Sequence, residues 1–272
     1  MKRSLLFIIG VVLVAMVALL ALVSVFWTPF DPSHVDPAAR LLPPGWPHLM
    51  GTDHLGLDIF SRILSGARIC LLVGVIAVAI GALIGVPLGL ISGSGKGWVS
   101  HIIMRAADII YAFPALLLAI LLAAANGGGS IVTAMVAIGI SSVPAFIRVA
   151  RAATLQVMSQ DFILAARASA TPKRTIAFQH VLPNIAPVVL VQSSVSFGLA
   201  ILAEAALSYL GLSAPPTTVT WGRMLFDAQS YLFTDPNLAL WPGLFIALAV
   251  LGCNLLGDGL REVLDPRLQE VR

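Results

Sequence analysis

The chain has 272 residues, of which 58% are hydrophobic and 11% charged, and its mean hydropathy is +0.97. Soluble domains carry roughly 25% charged residues, so this composition excludes a soluble enzyme or binding module and places the chain in a lipid bilayer. A net charge of +3 would suit a nucleic-acid partner in a soluble protein, but the basic residues here flank apolar runs, where they orient a membrane protein; no nucleic-acid partner is expected.

Six stretches free of Lys, Arg, Asp and Glu are candidates to cross the membrane, which takes about 20 apolar residues as helix: Leu5–Phe26, Cys70–Leu90, Ile109–Ala125, Ile131–Ile147, Ile185–Ala203 and Leu238–Leu256. The first follows Met-Lys-Arg, yet it is longer than the roughly 7 to 15 apolar residues of a secretory signal core, so it reads as a retained span, peripheral to the rest. With the N-terminus inside, 12 of the 16 basic residues fall on the cytoplasmic side and only Arg40, Arg62, Arg68 and Arg223 outside. Excess positive charge stays inside, which puts both termini in the cytoplasm.

The resulting division is a peripheral membrane helix at 1–27, an extracytoplasmic segment at 28–69, a core of spans two to six at 70–258 and a cytoplasmic tail at 259–272. In the outer segment, GTDHLGLDIFSRILSGARI reads as an amphipathic helix near the outer surface, capped by Thr52 or Asp53, with Leu55, Ile59 and Ile63 at a spacing of four. Gly81, Gly85 and Gly89 form a small-residue stripe on span two, suited to close helix packing. Lys96 in ISGSGKGW lacks the glycine and the Ser/Thr that a phosphate-binding loop needs, since Leu90 and Gly97 stand there. No nucleotide site is expected in this chain.

Asp108 opens the third span one turn after Arg105, its expected partner. Between spans four and five lies a polar island, DFILAARASATPKRTIAFQHVLPN, which reads as short helix, turn, short helix on the cytoplasmic side. Its small residues Ala165, Ala166 and Ala170 suit docking in a groove of another protein, because small side chains permit close backbone approach. Glu204, near the outer end of span five, has no partner visible in sequence; contact with the translocation route and a buried interhelical hydrogen bond are both open. Asp258, beside Arg261 at the inner end of span six, reads as a surface ion pair or helix-end cap, because an aspartyl protease needs a second facing carboxylate. Cys70 and Cys253 read as buried hydrophobes, and the five histidines include no i, i+4 pair, so no metal site is expected.

The island resembles the cytoplasmic loop of binding-protein-dependent ABC importer permeases, whose pattern runs E-A-A, three residues, G, nine residues, I-x-L-P. The alanines fall on Ala165 and Ala166 and the Leu-Pro on Leu182 and Pro183, whereas Leu164, Ala170 and His180 replace the acidic residue, the glycine and the isoleucine. His180 matches the peptide and nickel branch. GTDHLGLDIFSRILSGARI, MRAADIIYAFPALLLA, AEAALSYLGLSAPPTTVTWGRML and WPGLFIALAVLGCNLLGDGLREVLDPRL are similar to the second permease subunit of dipeptide, oligopeptide and nickel importers, with Leu57 where that family often has Arg.

The resemblance implies an all-α transmembrane protein of the type I ABC importer permease fold, with a coupling loop at 151–184. It implies a homologous second permease, two cytoplasmic ATPase subunits holding ATP and Mg, an extracytoplasmic solute-binding protein, and no cofactor in this chain. The absence of a phosphate-binding loop from the sequence independently calls for a separate energy source. The expected cargo is a short peptide or peptide-like solute, with nickel or a metal chelate as the alternative. Two alternatives from other classes are a structural or chaperone-like membrane scaffold and a secondary transporter; the latter ordinarily shows internal repeats and several mid-membrane ionisable residues, and only Glu204 comes near.

Overall fold

The computed structural model describes residues 5–95, 97–125, 129–213, 215 and 217–264. Lys2, Arg3, Lys96, Arg267 and Arg272 of the charge count, and residues 265–272 of the expected tail, lie outside the described residues. Ten α-helices appear among the described residues: α1 (Leu5–Phe26), α2 (Ile59–Ser94), α3 (Trp98–Ala112), α4 (Ala115–Ala125), α5 (Ile131–Met158), α6 (Asp161–Ala168), α7 (Lys173–Thr175), α8 (Leu182–Tyr209), α9 (Trp221–Ala228) and α10 (Asn237–Leu264). Helices α1, α2, α5, α8 and α10 are long and apolar enough to cross a membrane, and α3 with α4 supplies a sixth crossing if the bent pair is one span.

Two expected elements are corrected. The amphipathic stretch and span two are one continuous helix, because nothing between Ile59 and Ser94 breaks it and Pro87 is accommodated within it. Its cap is neither Thr52 nor Asp53 but Asp58, whose carboxylate accepts from the Ser61 N–H and hydroxyl, both at 2.7 Å. Such a cap contributes about 1 kcal/mol. The third span, expected unbroken over Ile109–Ala125, bends by 87° between α3 and α4. Pro114 offers no N–H and forces its predecessor out of the helical region; Phe113 is accordingly extended, at φ −87° and ψ 121°.

Helices α2 and α5 run parallel, face to face. A Cβ at Gly81, Gly85, Gly89 or Gly93 would collide with Phe146, Ala150, Thr154 or the α5 backbone, so glycine permits this approach. Helix α1 packs antiparallel on α10, with Gly10 against Leu256, Gly252 against Leu13 and Gly259 against Phe7. The ends of α2 and α5, the start of α3 and residues 159–181 share one end of the bundle, here the loop end. Residues 28–58 and α9 share the other, the cap end.

Candidate functional site

At the loop end, α5 stops at Met158 and the chain turns through α6, α7 and a π-helical turn at Ile176–Val181 into α8. Ile163, Ile176 and Val181 are buried with Val86, Leu90, Phe146 and Ala150, so the loop is seated on α2 and α5 by its own apolar side. The π turn closes where the Leu182 N–H reaches the Ala177 carbonyl, and Pro183 follows with no N–H to continue the preceding ladder.

Of the residues singled out in the loop, Leu164, Ala165, Ala170 and Pro183 are exposed, His180 and Leu182 are half-buried, and Ala166 is half-buried against the cluster beneath. Helix α6 ends in a Schellman motif: Thr171 N–H bonds the Ala166 carbonyl and Ala170 N–H the Arg167 carbonyl, both near 3 Å. Ala170 occupies the left-handed position of that motif, at φ 53°. Two aromatic residues not singled out in the sequence, Phe162 and Phe178, stand exposed on the same loop, as does Leu164. Their signal is apolar bulk within an otherwise polar segment.

At the cap end, Glu204 is 3% exposed. Its Oε1 accepts from Ser208 at 2.7 Å and Ser213 at 3.5 Å, and Thr220 donates to the Ser208 hydroxyl at 2.9 Å. Helix α8 is thereby joined to the segment leading to α9, whose N-cap is Thr220. Nearby, buried Arg62 contacts Asp53 and also Asp227, the latter at 3.6 Å, while Arg223 pairs with Asp227 at 3.1 Å. Asp53 also accepts from the Leu55 and Leu57 N–H groups. These bonds tie the cap segment, α2 and α9 together.

Two further expectations change. Asp108 pairs not with Arg105 but with Arg148 of α5, at 2.9 Å, because α3 lies on α5 through Ala107, Val143 and Ile147. The Arg148 guanidinium also lies 4.2 Å from the centre of the Tyr111 ring. Asp258 is inside α10, which continues to Leu264, so it is not a helix-end cap.

Residues 85–270 match the family described as binding-protein-dependent transport system inner membrane component. The chain belongs to this family. Its similarity to individual members runs nearly end to end. It is 40% identical over 269 residues to a dipeptide transport system permease protein of Alkalihalophilus pseudofirmus, covering 99% of this chain and 88% of the relative. It is 43% identical over 256 residues to a glutathione transport system permease protein of Pectobacterium atrosepticum, covering 92% and 85%. It is 40% identical over 266 residues to a di/tripeptide transport system permease protein of Pseudomonas aeruginosa, covering 96% and 88%. The fold matches an inward-facing conformation of the MetNI methionine ABC transporter with a TM-score of 0.62 at 16% identity, over 74% of this chain and 95% of that one. The chain is therefore a transport subunit with the ABC importer permease fold, not an enzyme.

Proposed function

We propose that this chain forms half of the translocation pathway of an ATP-driven importer for short peptides or peptide-like solutes. The observation that carries this reading is the 40–43% identity, over nearly the whole chain, to permeases named for dipeptides, di/tripeptides and glutathione. Those names put a peptide ahead of a nickel chelate as cargo.

In this reading both termini face the cytoplasm, and the other half of the pathway is a homologous second permease. An extracytoplasmic solute-binding protein delivers the cargo, and two ATPase subunits hold ATP and Mg. The loop at 151–184 is the coupling surface. Leu164, Ala165 and Ala170 meet the ATPase, Ala166 and Leu182 support that face from beneath, and His180 and Pro183 shape the return into α8. The exposed Phe162 and Phe178 add to the same face. Burial of the loop's other side against α2 and α5 supports this role, since movement of the loop must then carry those helices with it. Of the two roles open to Glu204, contact with the solute and a buried interhelical hydrogen bond, its burial speaks against the first, but its bonds run to Ser208 in the same helix and to Ser213 just beyond it, so we read it as a local brace of the α8 end.

The test is reconstitution with the partner subunits and a ligand screen of the binding protein. Binding of short peptides together with ATP-dependent peptide uptake is the expected result. Tight binding of a metal complex with no affinity for peptide overturns it.

A further inference from the structure

Helix α3 carries a polar stripe. His101, Arg105, Asp108 and Tyr111 recur at helical spacing on one side and are all exposed, while Val99, Ile102, Ile103, Ala106 and Ile110 occupy the other flank. From His101 to Tyr111 the stripe extends about 15 Å, and it stops at the Phe113–Pro114 break.

The connectivity sets the depth of this stripe. Residues 95 to 130 must carry the chain from the loop end, where α2 finishes, to the cap end, where α5 begins and Gly129 packs on Leu212. Helix α4 has 11 residues and is only about 16 Å long, well short of the roughly 30 Å hydrocarbon layer. With the two helices 87° apart both must tilt to make the crossing, so α3 climbs part of the remainder, taking its polar stripe with it.

At the top of the stripe the Asp108–Arg148 pair keeps 49% and 38% of its side chains exposed, at a contact distance of 2.9 Å. Ionisable groups on a membrane span avoid lipid and face protein or water, and the assignment of Arg105 and Arg148 to the cytoplasmic side puts this pair toward the loop-side end of the crossing. Just above them lies the break at Phe113–Pro114, and non-helical backbone at membrane depth is tolerated only where protein buries it or water lines it. The stripe and the break together have the character that one wall of a water-lined passage requires.

We propose that this stripe lines the loop-side half of the translocation route, and that Asp108, Tyr111 and Arg148 form a polar station where their own ion pair opens to take the terminal charges of a passing short peptide. The choice of peptide rests on the function proposed above; the water-lined wall does not. Arg148, held over the Tyr111 ring, offers its guanidinium to a carboxylate, and Asp108 takes an ammonium group. The resident pair keeps both charges partnered when no peptide is present.

The test uses the assembled importer in proteoliposomes, with Cys70 and Cys253 replaced by alanine. Tyr111→Cys is expected to react with a charged, water-borne thiol reagent, more slowly when binding protein and trialanine are cycling, whereas Leu83→Cys on the exposed side of α2 is expected to stay unreactive. Arg148→Gln, normalised to the amount of assembled importer, is expected to lower trialanine uptake by about tenfold or more, the loss of one charge-assisted contact, and Arg148→Lys to recover most of it. Equal reactivity at positions 111 and 83, or wild-type uptake by Arg148→Gln, overturns the station. Loss of uptake in Arg148→Gln without thiol reactivity at position 111 reduces the ion pair to a helix brace and also overturns it. If position 111 reacts but the wild-type importer carries no trialanine, the water-lined wall stands and the peptide reading is what fails.

Discussion

The indole N–H of Trp221 donates to the main-chain carbonyl of Ile63 at 3.1 Å, joining α9 to α2 across 158 positions of sequence. The contact exists because residue 66 is glycine: a Cβ there would meet indole Cδ1 at 2.6 Å and Nε1 at 2.8 Å. Trp221→Ala is expected to cost about 3–5 kcal/mol, through lost burial and a residual cavity. Trp221→Phe, which loses only the hydrogen bond and part of the ring, is expected to cost far less. Gly66→Ala should destabilise by displacing the same indole. Thermal unfolding of the purified importer checks all three, and an unchanged midpoint for Gly66→Ala contradicts the account.

Arg62 holds the cap by facing two carboxylates at once, Asp53 and Asp227. Arg62→Met is expected to destabilise by about 3–5 kcal/mol, because it leaves the buried Asp53 carboxylate without its cation, while half-buried Asp227 keeps Arg223. Asp227→Asn should be milder, since that contact is longer, at 3.6 Å, and Asp53 keeps Arg62 partnered. The two midpoints, measured together, decide: equal losses mean that the ion pairs do not carry the effect.

The apolar stretches were readable in the sequence because a bilayer demands helical runs of a fixed length, and that demand leaves a compositional mark. The glycine spacing on span two was readable for the same kind of reason, and a Cβ at Gly81, Gly85 or Gly89 would meet α5. Pairing across helices was not readable. Arg105 is the local candidate for Asp108, but the packing of α3 on α5 brings Arg148 to it from 40 positions away. Glu204 has its nearest partner, Ser208, one turn along the same helix, an i, i+4 spacing legible in sequence, whereas Ser213, and Thr220 behind Ser208, return to its neighbourhood only through the turn after α8. The start of α2 was misplaced because Thr52, Asp53 and Asp58 are all competent caps, and tertiary contacts decide which of them caps.

Orientation is tested by exposed positions at the two ends of the bundle. In a chain with Cys70 and Cys253 replaced by alanine, Ser33→Cys is expected to react with an impermeant thiol reagent applied to intact cells. Ser169→Cys is expected to react only after the membrane is opened. The reverse pattern inverts the topology and removes the loop from the side proposed for the ATPase.

Ala170 is not part of a helix, as its alanine-rich surroundings suggest, but the left-handed residue that ends α6, at φ 53°. An L-residue held there pays about 1–2 kcal/mol that glycine does not. Ala170→Gly is therefore expected to stabilise the loop by about 0.5–1 kcal/mol, after allowing for the greater freedom of glycine in the unfolded chain. Ala170→Val should weaken it, because a β-branched side chain tolerates positive φ less well. Limited proteolysis at the loop reads the difference, and faster cleavage of Ala170→Gly than of wild type refutes the assignment.

The proposed coupling face is best probed where the chain itself does not need the side chain. Ala166 is half-buried against the cluster containing Ile163 and Ile176, so Ala166→Asp forces a carboxylate beneath the loop and is expected to reduce permease abundance. Leu164 and Phe178 are 52% and 65% exposed, so aspartate at either leaves the fold intact. If the ATPase groove covers them, each loses about 1.5–3 kcal/mol of burial and also places a carboxylate in an apolar contact. Leu164→Asp with Phe178→Asp is then expected to preserve abundance while cutting ATPase copurification and uptake by about tenfold or more. Full copurification and wild-type uptake in that double variant would mean that the ATPase docks elsewhere on the loop end, and that Phe162, Leu164 and Phe178 are exposed for another reason.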